Sequence, residues 1–372
     1  MKKFYVIAGE ASGDLHAGNM MRAMKEKEPA VDFRFWGGDH MQKVAGTPVK
    51  HIEELAFMGF IEVVSNLRTI LGNISFCKKD ILAYQPDALI LIDYPGFNLR
   101  IAEWAHKNNI KVYYYISPQI WAWKQNRVHK IKKVVDELFV ILPFEKDFYK
   151  KFDMEVTYVG HPLLDAIDQY QAQVTQEDLA QKHGLSSEPI IALLPGSRKQ
   201  EISIKLPIML ESLKNYQDYQ IVVAGAPNLS PSFYEQFMDN HLNVKIIHGA
   251  TYDVLSLATA ALVTSGTATL ETALFRVPQV VCYKGSAISY HIAKRLIKVA
   301  YISLVNLIMD KEVVRELIQA ECNPTKIREE LKLILPEGER HSQLLKEYDT
   351  LIDKLGGGGA SERVAAQILS HN

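Results

Sequence analysis

Pro189-Ile190-Ile191-Ala192-Leu193-Leu194-Pro195-Gly196-Ser197-Arg198 is an apolar run that breaks at a Pro-Gly turn and leads into a segment able to wind into a helix. The run reads as a strand, and the turn brings the first N–H groups of the following helix, with an arginine beside them, to the strand's carboxyl end. Free N–H groups in a first helical turn, and the partial positive charge there, favour an anion. Arg198 adds a planar, permanently charged fork. Gly196, Ser197 and Arg198 are therefore candidates for cradling a diphosphate. The competing reading is an ordinary strand-to-helix turn whose arginine is solvated.

Working outward, short apolar runs of the same kind recur at 220–224, 244–248, 260–264 and 279–282, and earlier at 4–8, 88–93, 111–116, 137–142 and 156–160. Near-continuous apolarity in runs this short fits parallel strands covered on both faces by helices. At 372 residues the chain is long for one core. A polar stretch over 165–188, ending in Gly184 and Pro189, separates the two series. The expected fold is α/β: two Rossmann-like domains, 1–168 and 169–345, facing each other with their strand ends across a cleft. Beyond them, 346–372 is expected to return to the N-terminal domain as a helical segment. Gly356 to Gly359 interrupt it, and Val364, Ala365, Ile368 and Leu369 then recur at helical spacing.

Composition narrows the function. A net charge of -1 gives no global attraction for nucleic acid. The three cysteines, Cys77, Cys282 and Cys322, lie far apart and suggest neither a zinc site nor a disulfide framework. No apolar run reaches the roughly 20 residues needed to span a bilayer, and the N-terminus passes from Met-Lys-Lys directly into a strand, as in a cytoplasmic protein. Neither Asp-x-Asp nor a helical His-x-x-x-His occurs, so no metal is implied. The first turn, Gly9-Glu10-Ala11-Ser12-Gly13-Asp14, is not the fingerprint of a nicotinamide enzyme. No cofactor is expected.

Other strand ends carry candidate chemistry. Glu10 sits at the mouth of the first strand with no evident capping duty, whereas Ser12 or Asp14 can serve as an N-cap. Asp93 closes the strand 88–93 before Tyr94-Pro95-Gly96; it reads either as a general base or as the cap of the next helix. Ser265, Gly266 and Thr267 follow the strand 260–264, with Glu271 one turn into a helix. Small residues let a phosphate or sugar approach, and Glu271 either accepts a ribose diol or closes a capping box. His16 and His161 each adjoin a glycine-containing turn. Apolar residues at steps of three or four from Phe57 to Ile74 describe a helix that either packs on a sheet or lies in a lipid interface. Trp121 and Trp123 precede Lys124, Arg127, Lys130, Lys132 and Lys133, a cluster suited to anionic lipid or a phosphorylated acceptor, or to a solvated helix.

Taken together, GEASGDLHAG (9–18), ELAFMGFIEV (54–63), IDYPGFNLR (92–100), SPQIWAWKQNRVHKI (117–131), LPFE (142–145), GHPLLD (160–165), LLPGSR (193–198) and SGTATLE (265–271) resemble the lipid-A-disaccharide synthases, bacterial glycosyltransferases of the GT-B type. The resemblance implies transfer of a diacylated glucosamine from UDP to a diacylglucosamine 1-phosphate, with inversion and release of UDP. It places Asp93 and Glu10 by the acceptor, Arg198 and Ser265–Glu271 on the UDP, and Asn306 near the donor, although Val305 stands where the family often has proline. It also implies a cytoplasmic enzyme held on the inner-membrane surface through the Phe57–Ile74 helix, and it accommodates a homodimer. Two alternatives stay open: a GT-B epimerase or peptidoglycan-type transferase using UDP-N-acetylglucosamine, and a non-catalytic binding protein for which Asp93 is dispensable.

Overall fold

A computed structural model describes residues 1–55, 67–171, 175–238, 243–285 and 299–371. The chain divides into two compact units, Met1–Asp165 with Gly358–Asn372, and Ala166–Gly357.

The first unit is built on seven strands: β1 (Lys3–Ala8), β2 (Asp32–Gly37), β3 (Lys50–His51), β4 (Ala88–Ile92), β5 (Lys111–Tyr115), β6 (Glu137–Val140) and β7 (Thr157–Tyr158). They lie in the order β3-β2-β1-β4-β5-β6-β7, all neighbours parallel. Parallel strands need crossovers, and helices Ala11–Lys27, Leu67–Tyr84 and Pro95–Lys107 supply them. All five residues of β4 are buried, as covering on both faces requires. β2 escapes a search for continuous apolarity because Asp32 and Arg34 interrupt it. Phe33 and Phe35 join the core, while Arg34 forks onto Asp80 at 2.7 and 2.6 Å. Asp80 also accepts from the Tyr5 hydroxyl, which in turn accepts from Trp36 Nε1 at 2.8 Å.

The tail belongs to this first unit. Helix Ala360–Ser370 adds Val364, Ala365 and Ile368 to its core, and the Asp165 carboxylate accepts from the N–H groups of Gly359, Ala360 and Ser361 at the helix start. Residues 346–357, expected to return with it, instead stay in the second unit. Helix His341–Leu355 buries Leu344, Tyr348, Leu351 and Leu355, and the Tyr348 hydroxyl accepts from Gln279.

The second unit has six strands: β8 (Ile190–Leu194), β9 (Gln220–Gly225), β10 (Val244–His248), β11 (Ala258–Val263), β12 (Gln279–Tyr283) and β13 (Glu316–Ile318). Their order is β10-β9-β8-β11-β12-β13, again parallel throughout. In each sheet the chain works outward in one direction and then returns to build the other half, so the order reverses beside the first strand. Those reversals fall between β1 and β4 and between β8 and β11, and the carboxyl ends of such strand pairs are where doubly wound sheets bind ligands. Among the described residues no helix is long and apolar enough to cross a membrane. Of the apolar helix expected over 57–74, residues 57–66 lie outside the described residues; the helix Leu67–Tyr84 exposes Leu71 and Phe76 and buries Ile74.

Candidate active site

In the first unit, Ala8 of β1 pairs with Ile92 of β4, so Gly9-Glu10 and Asp93-Tyr94 leave neighbouring strands side by side. Asp93 and Tyr94 both adopt left-handed backbone, at φ 44° and 47°, a conformation that costs a non-glycine residue energy and persists only when the surroundings fix it. They are fixed from several sides. The fully buried Asn98 donates its amide to the carbonyls of Asp93 and Ile92 at 2.9 and 3.1 Å, Tyr114 Oη donates to the Asp93 carbonyl at 2.5 Å, and the Asp93 N–H is held by the Tyr115 carbonyl. The Tyr94 ring lies against Gly9, where a Cβ would come within 2.4 Å of it. Sequence reading missed Asn98 and Tyr114. The signal available was an amide one turn into the helix that opens at Pro95, where a side chain points back at the strand ends.

The Asp93 carboxyl is half-buried and does not cap the following helix, whose N-cap, Tyr94, makes no side-chain hydrogen bond. Burial first, then the negative charge of Glu10, push its pKa up from 3.8 to about 6, against a hydrogen bond from the Tyr94 N–H. Glu10 is exposed at the N-cap of helix Ala11–Lys27 without capping it. The two carboxyls are thus electrostatically coupled, one desolvated and one in water. Asp14 caps a different helix: it accepts from the N–H groups of Gly38, His40 and Met41 at the start of helix Asp39–Ala45. His16 and His161 are buried near one another, and desolvation pushes their pKa values down to about 4 and about 3. Neutral at physiological pH, they are interior residues. In the basic cluster, Lys130 pairs with Glu103 and Lys132 donates to the Phe152 carbonyl, while Lys124 and Arg127 lie over the exposed Trp123 ring.

In the second unit, a cavity of about 360 Å³ opens at the carboxyl ends of β8, β9 and β11. Its lining contains Gly196, Ser197 and Arg198 from the first turn, Ser265, Gly266, Thr267 and Glu271 from the second, and Gly225-Ala226-Pro227 after β9. Two helix starts, Lys199–Ser212 and Thr267–Leu274, present first turns with no side-chain cap, which leaves their N–H groups to an anion. Gly196 and Gly266 have φ of 121° and 117°, where L side chains are strained; at Gly266 a Cβ would otherwise meet open space. Arg198 is largely exposed, its nearest carboxylate Glu201 at 3.8 Å. Glu271 does not turn back on its own helix start. Its Oε1 accepts from Tyr252 Oη at 3.3 Å, and burial raises its pKa, so it is a desolvated carboxylate with room for more donors.

Asn306 does not line this cavity. It is fully buried, its amide donates to the Val314 carbonyl and Glu316 Oε1, and its oxygen accepts from the N–H groups of Val313 and Val314, all within 2.8–2.9 Å. Those four bonds use the whole capacity of the amide. Its side chain organises the approach to β13, together with Ser303 and Glu316, and the helix that carries it is bonded through the Leu304 N–H to Thr269 of the Thr267–Leu274 helix. Among the described residues no group of three or more His, Cys, Asp or Glu could hold a metal.

Residues 4–368 match the family model described as lipid-A-disaccharide synthetase. The chain is 42% identical to the lipid-A-disaccharide synthase of Syntrophus aciditrophicus, over 99% of this chain and 97% of that one, and 38% identical to that of Trichlorobacter lovleyi over the same shares. In fold it is similar to the UDP-GlcNAc 2-epimerase of Neisseria meningitidis solved with UDP-GlcNAc (TM-score 0.70, 13% identity, all of both chains). It is also similar to a glycotransferase of kitacinnamycin (TM-score 0.69, 12% identity, 99% and 98% of the chains).

Proposed function

The chain belongs to the lipid-A-disaccharide synthase family, and from that premise we propose how its two units divide the work of a glycosyl transfer. The reaction condenses UDP-diacylglucosamine with diacylglucosamine 1-phosphate, giving lipid A disaccharide 1-phosphate and UDP. An inverting transfer needs a base for the acceptor hydroxyl and stabilisation of charge on the departing diphosphate.

The first unit supplies the base. Asp93, with a pKa near 6, is mostly ionised at neutral pH yet retains proton affinity, and its rigid clamp spares it reorganisation. Glu10 is the competing candidate, and its charge tunes Asp93. The second unit takes the UDP: the diphosphate lies on the two helix starts with Arg198 and the Gly196-Ser197 and Ser265-Gly266-Thr267 turns, and Glu271 receives the ribose hydroxyls. The observation carrying this assignment is a capless pair of helix starts and a desolvated carboxylate in one cavity. The electrophile needs no metal in this scheme, because the cradle itself neutralises the leaving group.

The same family ground supports a cytoplasmic enzyme on the inner-membrane surface, attached through the Phe57–Ile74 segment and possessing exposed Leu71, Phe76 and Trp123 near basic side chains. Cosedimentation with anionic vesicles that is retained after serine replaces Phe60, Ile61 and Val64 refutes that attachment. A homodimer is a further proposal, checked by analytical ultracentrifugation. For the reaction itself, purified protein is incubated with both substrates and the product weighed by mass spectrometry. A disaccharide 1-phosphate with stoichiometric UDP is expected; no disaccharide here, together with epimerisation seen by NMR in a separate incubation with UDP-N-acetylglucosamine, would favour the alternative enzyme class.

A further inference from the structure

One cation in the second unit has no part in the scheme above. Lys205, two turns into helix Lys199–Ser212, is only 3% exposed. Its ammonium donates to Thr264 Oγ1 and lies directly behind the Gly196 turn, 3.6 Å from where a Cβ would stand on that glycine. Its nearest carboxylate is Glu201, at 4.0 Å, which is shared with Arg198 at 3.8 Å. Two cations therefore face one acid, and the lysine is the buried one. A buried ammonium without a close partner is costly to hold, and an interior site retains one where a further anion offsets the cost.

We infer that Lys205 is a second, concealed cation of the diphosphate cradle, acting from behind the cavity wall through Thr264 and the Gly196 turn. The inference rests on the assignment of UDP to this cavity. A threonine hydroxyl has one hydrogen and two lone pairs; with a lone pair occupied by the ammonium, its hydrogen is left to donate. Thr264 lines the cavity, and among the described residues no protein acceptor takes that hydrogen. The arrangement aims a polarised O–H toward a bound phosphate while keeping the lysine out of reach of water. As the UDP leaves, its diphosphate gains charge, so the same positive field strengthens during the reaction. Lys205 is thus a positioning and electrostatic residue, not one that touches the sugar.

The groups acting on Lys205 are Glu201 on its own helix, itself paired with Arg198, Thr264 after β11, Cys282 on β12, and Cys322 beyond β13 with Lys284 near it. Burial lowers the Lys205 pKa, and Glu201 offsets this only in part. An added phosphate raises it again. At an alkaline pH where the phosphates are fully ionised and part of the free Lys205 has lost its proton, UDP binding then takes up protons.

Isothermal titration of UDP and of uridine into the full chain, in two buffers of different ionisation heat, tests this. The wild type is expected to bind UDP with proton uptake. Lys205→Met weakens UDP binding by at least about tenfold, leaves uridine binding unchanged and abolishes the uptake. Lys205→Arg restores affinity without uptake, because guanidinium does not titrate there. A folded Lys205→Met that binds UDP like the wild type, or that loses UDP and uridine equally, overturns the inference, as does a wild type with no proton uptake anywhere in a series of titrations from neutral to alkaline pH. Should the wild type bind no UDP at all, the cavity assignment falls too, so the two failures are distinguishable. The wild-type measurement stands even if Lys205→Met does not fold.

Discussion

Replacing Glu10 by Gln separates the two carboxyls more sharply than removing either. In the structure, burial and the Glu10 charge together lift Asp93 from 3.8 to about 6, burial contributing the larger share. Neutralising Glu10 without changing its shape therefore lowers the Asp93 pKa, by no more than about one unit, or roughly 1.4 kcal/mol of repulsion. The acid limb of kcat/KM reports the base in the free enzyme, so it should move from about pH 6 toward about pH 5. At about pH 5 the wild type keeps roughly a tenth of its base ionised and the variant up to half, a gain of up to about fivefold in relative activity. The neutral plateau should fall by less than about tenfold, since a weaker base is a slightly poorer catalyst. The assay is initial-rate disaccharide formation across pH at limiting acceptor. If Glu10→Gln is inactive at every pH, Glu10 is the base and the assignment is wrong; an unmoved acid limb would show that the two carboxyls do not interact.

Three further outcomes follow from the geometry. Glu271→Gln should weaken UDP binding by about tenfold or more, and the variant should lose its preference for UDP over 2′-deoxy-UDP in competition titrations. Asn306→Ala should cost about 3 kcal/mol, because it strands the Val313 and Val314 N–H groups and strips Glu316. UDP affinity of the folded fraction decides whether Asn306 also serves the donor: an unchanged value leaves it a structural residue, and a selective loss of donor binding makes it part of the site. The buried histidines predict acid lability. Their folded pKa values, about 4 and about 3, lie below the unfolded value of 6.5, so the unfolded chain takes up protons first. The stability is whole above pH 6.5 and is lost as pH falls from there toward 4, by about 2 kcal/mol per histidine on reaching about pH 5. Urea denaturation of the wild type and His161→Gln at the two pH values checks this; equal slopes would contradict it.

The layered architecture was legible because parallel strands covered on both faces must be almost wholly apolar, and β4 and β8 announce themselves that way. β2 and β13 were not. Arg34 in β2 is stabilised by Asp80 and Glu316 in β13 by Ser303 and Asn306, partners that no local pattern reveals. The candidate site shows the same division. Glycines at strand ends and a carboxylate after an apolar run carry their meaning locally, so Gly196, Gly266, Glu271 and Asp93 could be singled out. Tyr114 and Lys205 could not, since each matters through a group distant in sequence, the Asp93 carbonyl for the first and Thr264 for the second; Asn98, five residues from Asp93, was within reach of a local reading and was missed. Asn306 is the opposite case, its side-chain partners Val313, Val314 and Glu316 all lying within ten residues of it.

The central claim is that the first unit supplies a proton acceptor and the second a leaving-group cradle, so the two functions should be separable by one substitution. Single-turnover formation of disaccharide by Asp93→Asn, measured beside its UDP affinity, tests this most directly. The rate is expected to fall by about 10²- to 10⁴-fold with the UDP dissociation constant unchanged. A folded Asp93→Asn enzyme that makes disaccharide at the wild-type rate would contradict the account.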